Sequence, residues 1–141
     1  MPVATALDRH PTPPCAKLLG WELVDARPSE GWVRTRFEGR PEFRNPAGLI
    51  QGGLVAAMLD DTMGPTVFVM TAGALFTVTL EMKVTFLAPA KVGPIYGEGW
   101  VVQLGKTIAF LEAKLMDEAQ TPIARATSTA RLIPADKALA G

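Results

Sequence analysis

The sequence predicts an α+β domain in which an antiparallel sheet of about six strands wraps one long central helix, and three observations predict it. Residues 49–71, LIQGGLVAAMLDDTMGPTVFVMT, place apolar side chains on every face of a helix, Leu54, Val55, Met58, Leu59, Met63 and Val67 among them. A helix apolar all round must be buried. From Val78 to Phe86 apolar residues alternate with Thr79, Glu81, Lys83 and Thr85, the period of two of a strand. The other strand-like segments are joined by connections shorter than the roughly dozen residues that a parallel crossover needs, so the pairing is antiparallel.

In chain order, residues 1–14, with Pro2, Pro11, Pro13 and Pro14, have the composition of a flexible tail. A single domain is expected over 15–134, with 135–141 as a C-terminal tail. Cys15 to Leu19 suit one helical turn before Gly20. Residues 21–27 and 31–38 read as a hairpin about Pro28-Ser29-Glu30, and Pro41, Asn45 and Pro46 keep 39–48 a loop. The helix of residues 49–71 would be roughly 30 Å long. Pro65 cannot donate to the carbonyl of Asp61, so a kink is expected between them. After residues 78–86, strands are expected over 94–104, 107–116 and 123–133, with turns at Gly105-Lys106 and Asp117–Gln120. The last strand offers a small-residue face of Ala124, Ala126, Ser128, Ala130 and Leu132. One sheet can hardly hide so apolar a helix, which argues for a second subunit.

Composition removes several kinds of chemistry. The chain has 141 residues, enough for one core, with 14 Lys+Arg against 14 Asp+Glu. That balance disfavours a nucleic-acid partner. One cysteine, Cys15, and one histidine, His10, both near the N-terminus, leave no disulfide framework, no Cys/His metal centre and no well-placed histidine base. No metal or cofactor is expected; carboxylates, amides, hydroxyls and backbone N–H groups must carry any catalysis. The uncharged run from Thr62 to Leu80 is interrupted by Gly64-Pro65 and Gly73, so no membrane partner is expected. No basic stretch leads into an apolar one at the N-terminus, and a cytoplasmic location is expected.

The informative segment is Asn45 to Gly53, which runs into the helix. Gly52 and Gly53 at a helix start leave backbone N–H groups uncovered, and these with the positive end of the dipole can stabilise an oxyanion. The same glycines could serve only close packing. Asp60 and Asp61 lie within the apolar helix, where an unpaired carboxylate costs several kcal/mol. Asp61 is expected to emerge on a polar strip or cap a loop. Asp60 lies along a small-residue face with Gly52 and Ala56, open to a ligand. Eight residues of helix separate Gly52 from Asp60, about 12 Å. A shared site would combine Gly52 of one subunit with Asp60 of another.

The runs N-P-A-G-L-I-Q-G-G-L-V-A-A-M-L-D (45–60), V-T-L-E-M-K-V-T-F-L-A-P-A-K (78–91) and L-G-K-T-I-A-F (104–110) resemble the hotdog-fold acyl-CoA thioesterases of the PaaI-like, phenylacetate-degradation-associated group, over about residues 18–133. The resemblance implies the hotdog fold, with two protomers sharing one sheet and active sites between them, as a homodimer or a dimer of dimers. It places the helix acid on Asp60, the asparagine before the helix on Asn45, the oxyanion-hole glycine on Gly52 and the water-placing hydroxyl on Thr79. Gln51 departs from the histidine of the group's H-G-G motif; it can hydrogen-bond but not titrate near neutral pH. Gln51 and Gly53 are candidate substrate-binding residues beside Gly52, and Lys91, Lys106 and Thr107 are candidates for the coenzyme A phosphates. The implied activity is hydrolysis of a small aryl-CoA or medium-chain fatty acyl-CoA, with Asp60 as general base or nucleophile. Two other readings stay open, a non-catalytic acyl-CoA-binding protein, which Gln51 would suit, and a hotdog dehydratase or hydratase, which the lack of a core histidine disfavours.

Overall fold

The computed structural model describes residues 4–139. The chain runs α1 (Pro14–Leu19), β1 (Glu22–Arg27), β2 (Trp32–Gly39), α2 (Gly52–Met70), β3 (Leu75–Phe86), β4 (Gly93–Leu104), β5 (Ile108–Met116), β6 (Pro122–Pro134) and α3 (Ala135–Ala138). The six strands form one antiparallel sheet in the order β1-β2-β4-β5-β6-β3. The expected architecture holds: α2 lies on one face of the sheet, and β3 returns to the far edge beside β6.

Each element ends where its sequence dictates. Pro14, with no N–H to lose, opens α1, and Gly20 closes it at φ 67°, a conformation that favours glycine. The core joins Phe37, Ile95, Leu115 and Ile123 of the sheet to Met58, Leu59, Met63 and Val67 of α2, all of them buried. The small face expected of β6 is present, with Ala124, Ala126, Ser128, Ala130 and Leu132 buried. The helix lies tight against the sheet at β4. A Cβ on Gly99 would lie 2.7 Å from the Thr62 carbonyl oxygen, and one on Gly97 would lie 2.6 Å from Thr35 Oγ1. The Thr35 and Thr62 hydroxyls share a 3.0 Å hydrogen bond there, and Thr62 also donates to the Met58 carbonyl at 2.8 Å.

Three expectations are corrected. The N-terminal segment is not a loose tail where it is described. Ala6–Arg9 form a 3-10 turn closed by a reciprocal Thr5–Asp8 capping box, and Ala6 is buried with Phe68 and Ala135. Residues 1–3 lie outside the described residues. At the other end, where a second tail was expected, Ala135–Ala138 form a helical turn with Ala135 buried; 140 and 141 are outside the described residues. The central helix starts at Gly52 rather than Leu49, because Ile50 bridges back to Arg44 in an extended pairing. Helical structure continues past Pro65, and the Asp61 carbonyl that Pro65 cannot serve accepts the Trp21 indole N–H at 3.2 Å.

The register of β3 also differs from the plain alternation. A bulge between Thr79 and Glu81 leaves Leu80 unpaired. Thr77, Thr79, Met82 and Val84 therefore meet the helix or core, while Val78 and Leu80 are exposed.

Candidate active site

The N-terminus of α2 is open. The Gln51 N–H is held by the Phe43 carbonyl, and the Gln51 carbonyl accepts from Leu54 and Val55, but its side chain makes no cap. Among the described residues, the N–H groups of Gly52 and Gly53 find no acceptor. Two donors at the positive end of a 19-residue helix are thus free for an incoming oxygen.

Asn45 reaches the same place by the logic of its loop. Its Oδ1 accepts the N–H groups of Ala47 at 2.9 Å and Leu49 at 3.1 Å, and its own N–H meets the Leu49 carbonyl at 2.7 Å. This network fixes which side-chain atom is oxygen. With Oδ1 so engaged, Asn45 stands in the wall of a cleft of about 310 Å³ together with Leu49, Gly52, Phe86, Pro89 and Ala90, among others. Phe86 forms a wall over the helix start: a Cβ on Gly52 would lie 3.4 Å from its ring. Lys91 follows Ala90 directly and is exposed.

The other half of the predicted chemistry sits two turns further along α2. The Thr79 hydroxyl donates to Asp60 Oδ1 at 2.9 Å. The bulge at Leu80 is what turns Thr79 toward the helix. Asp61, beside it, neither caps a loop nor meets a donor. Its Oδ2 is buried without a partner, and burial first, then the neighbouring Asp60 charge, raises its pKa from the ordinary 3.8 to about 6.

Within one chain, then, the candidates form two clusters. Asn45, Gln51, Gly52, Gly53 and Lys91 gather at the helix start; Asp60 and Thr79 meet at mid-helix. Lys106 and Thr107 occupy the exposed β4–β5 turn, roughly 35 Å along β4 from the Lys91 end at the usual rise per residue. The Thr107 carbonyl holds the Leu132 N–H, placing this turn at the Asp60–Thr79 end of the sheet. Sequence reasoning missed Phe86 as a cleft wall, and the Trp21 contact to the helix. Among the described residues, no three His, Cys, Asp or Glu side chains could hold a metal ion, and no helix is long and apolar enough to cross a membrane.

Comparison with known proteins places this geometry in context. Residues 47–124 match the model of the Thioesterase superfamily. Acyl-coenzyme A thioesterase 13 of Homo sapiens is 33% identical over 98 residues, covering 69% of this chain and 68% of its own length. A relative from Saccharolobus solfataricus, provisionally named an esterase, is 32% identical over 78 residues; the match covers 55% of each chain, about half that relative's length. Among solved structures, the phenylacetic acid degradation-related protein of Ralstonia eutropha JMP134 superposes with a TM-score of 0.83 at 26% identity, over 89% of this chain and 95% of its own.

Proposed function

The chain belongs to the thioesterase superfamily, whose members are thioester hydrolases, and from that premise we propose that it hydrolyses acyl-CoA thioesters at a site shared between two protomers. The observation that carries this reading is the split of the candidate groups. Oxyanion donors stand at Gly52, and the carboxylate pair Asp60–Thr79 lies eight residues along the same helix. One thioester cannot meet both within a single chain.

Pairing of two copies through β3 would unite them. This edge strand has a free backbone side, and Phe76, Val78 and Leu80 are exposed along it. Antiparallel pairing about a two-fold axis near Met82–Lys83 would set Thr79 and Asp60 of one protomer beside Phe86 and Gly52 of its partner. The assembly is a homodimer or a dimer of dimers.

In this site the thioester carbonyl oxygen takes the Gly52 N–H, assisted by Asn45 Nδ2 and flanked by Gly53 and Gln51. Asp60 Oδ1 is held by Thr79, so Oδ2 takes the proton of an attacking water. The water oxygen bonds the carbonyl carbon, the C–S bond breaks, and the CoA thiolate leaves with that proton. Lys91, and Lys106 with Thr107 from the partner, contact the CoA phosphates. The walls formed by Leu49, Phe86 and Pro89 suit a small aryl or medium-chain acyl group. A lone exposed cysteine, Cys15, fits the reducing cytoplasm.

Release of CoA thiol from a panel of aryl and fatty acyl-CoAs tests the reading. Asp60→Asn should lower kcat by roughly 10²-fold or more while leaving the oligomer intact by light scattering. Near-wild-type turnover in that variant overturns the assignment. Binding of acyl-CoA without turnover in either protein would instead favour a binding module, which Gln51 in place of a titrating group would suit. Sharing of the site has its own test: co-expressed Asp60→Asn and Asn45→Ala protomers should recover activity that neither homo-oligomer has.

A further inference from the structure

The turn of α2 that carries Asp60 is missing a helical hydrogen bond. Pro65 has no N–H to return to the Asp61 carbonyl, and in an apolar helix an orphaned carbonyl is costly. The structure fills the gap from outside the helix: the indole N–H of Trp21, in the link between α1 and β1, donates to the Asp61 carbonyl at 3.2 Å. Trp21 is itself fixed. Its N–H bonds the Ala16 carbonyl at 2.9 Å, and its ring packs on the main core. On the sheet side, Thr62 is held by Thr35 and pressed against Gly97 and Gly99. The backbone just after Asp60 is therefore gripped from two sides, and the Trp21 grip exists because of Pro65.

We propose that Trp21 is a positioning residue for Asp60, its indole N–H replacing the helical bond that Pro65 removes and thereby fixing the carboxylate against Thr79 and the attacking water. The inference rests on the thioesterase reading above, with Asp60 as the acid. A carboxylate displaced by a fraction of an ångström loses its aim at the water, while the cleft proposed to take the acyl group, at the other end of the helix, and the phosphate contacts on the exposed β4–β5 turn are unmoved. The signature is thus a fall in kcat at constant KM.

The test is a double-mutant cycle with two readouts. Trp21→Phe keeps an aromatic ring in the core and deletes the donor; kcat should fall about tenfold, with KM changed less than twofold. Pro65→Ala restores an N–H four residues after Asp61 and should leave kcat near wild type. In the Pro65→Ala background, Trp21→Phe should then cost less than about twofold, because the helix supplies the bond itself. Circular dichroism on all four proteins checks that each is folded. Equal losses for Trp21→Phe in both backgrounds, or a loss confined to KM, overturn the positioning role. So does an unaffected Trp21→Phe alongside an inactive Asp60→Asn, and that outcome leaves the thioesterase reading standing. Full turnover in Asp60→Asn overturns that reading, and the positioning role with it.

Discussion

Thr79 on the edge strand donates its hydroxyl to Asp60 Oδ1 on the central helix at 2.9 Å, so one carboxylate oxygen is occupied and the other is left to act. Removing the donor should misplace the proposed base without emptying the site. Thr79→Val is expected to lower kcat by about tenfold with little change in KM, and Thr79→Ser to stay near wild type, as a single hydrogen bond to a charged acceptor implies. Steady-state kinetics on both variants checks this, and equal losses in the two would contradict it.

Asn45 divides its labour between loop and cleft. Its Oδ1 braces the N–H groups of Ala47 and Leu49, while the residue lines the cleft beside Gly52. Asn45→Asp should keep the loop, since an oxygen still accepts both bonds, yet lose the proposed oxyanion donor and add a repelling charge; kcat should fall by roughly 10²-fold. Melting temperature should move little for Asn45→Asp and more for Asn45→Ala, which loses the brace as well. Thermal unfolding beside kinetics separates the two effects.

Asp61 should tie stability to pH. Its folded pKa of about 6 lies above the ordinary 3.8, chiefly through burial, so the folded chain binds more protons than the unfolded chain between those values. Stability from this group is therefore greatest below about pH 4 and declines as pH rises to 6. Asp61→Asn should abolish that decline and be more stable than wild type at pH 7, on the order of 1 kcal/mol given the partial exposure of the site. The measurement is the difference in unfolding free energy between the two proteins from pH 4 to 7; a gap that does not widen with pH would refute the assignment.

Gly97 should tolerate no side chain. A Cβ there would lie 2.6 Å from Thr35 Oγ1 and 2.8 Å from Thr62 Oγ1, and both hydroxyls are fully buried. Gly97→Ala is expected to cost about 1–3 kcal/mol as an overpacked core, measured by denaturant unfolding. An unchanged midpoint would mean that the helix can lift from β4 at no cost.

Sequence alone located the central helix and the succession of strands, because burial of an apolar helix and period-two alternation are local patterns. Of the candidate site it offered Gly52, Gly53 and Asp60 from the residues themselves, and Asn45 and Thr79 only through the family resemblance. It went wrong where one residue changed the phase. Leu80 fits the alternation of Val78 to Phe86 so well that nothing marks it as a bulge, yet that bulge alone turns Thr79 inward to Asp60. The resemblance selected Thr79 without the geometry that makes it useful. The N-terminal turn is a different kind of miss: Thr5-Ala6-Leu7-Asp8 carries a capping-box pattern that could have been read, but the prolines nearby outweighed it. The buried Oδ2 of Asp61 and the reach of Trp21 across 40 residues depend on tertiary packing that no local pattern encodes.

The close seat of Thr62 on Gly97 and Gly99 gives α2 the mechanics of a beam clamped at mid-span. Asp60 stands two residues from the clamp, whereas Gly52 lies at the helix start about 15 Å away. Asp60 thus takes its place from the sheet interior, whereas Gly52 takes its place from the loop, through the Gln51 N–H on the Phe43 carbonyl and the Ile50 N–H on the Ala90 carbonyl. Because the two are anchored separately, selection for different acyl groups at the proposed site should accumulate changes in the cleft lining around Leu49 and Phe86 and leave the clamp untouched.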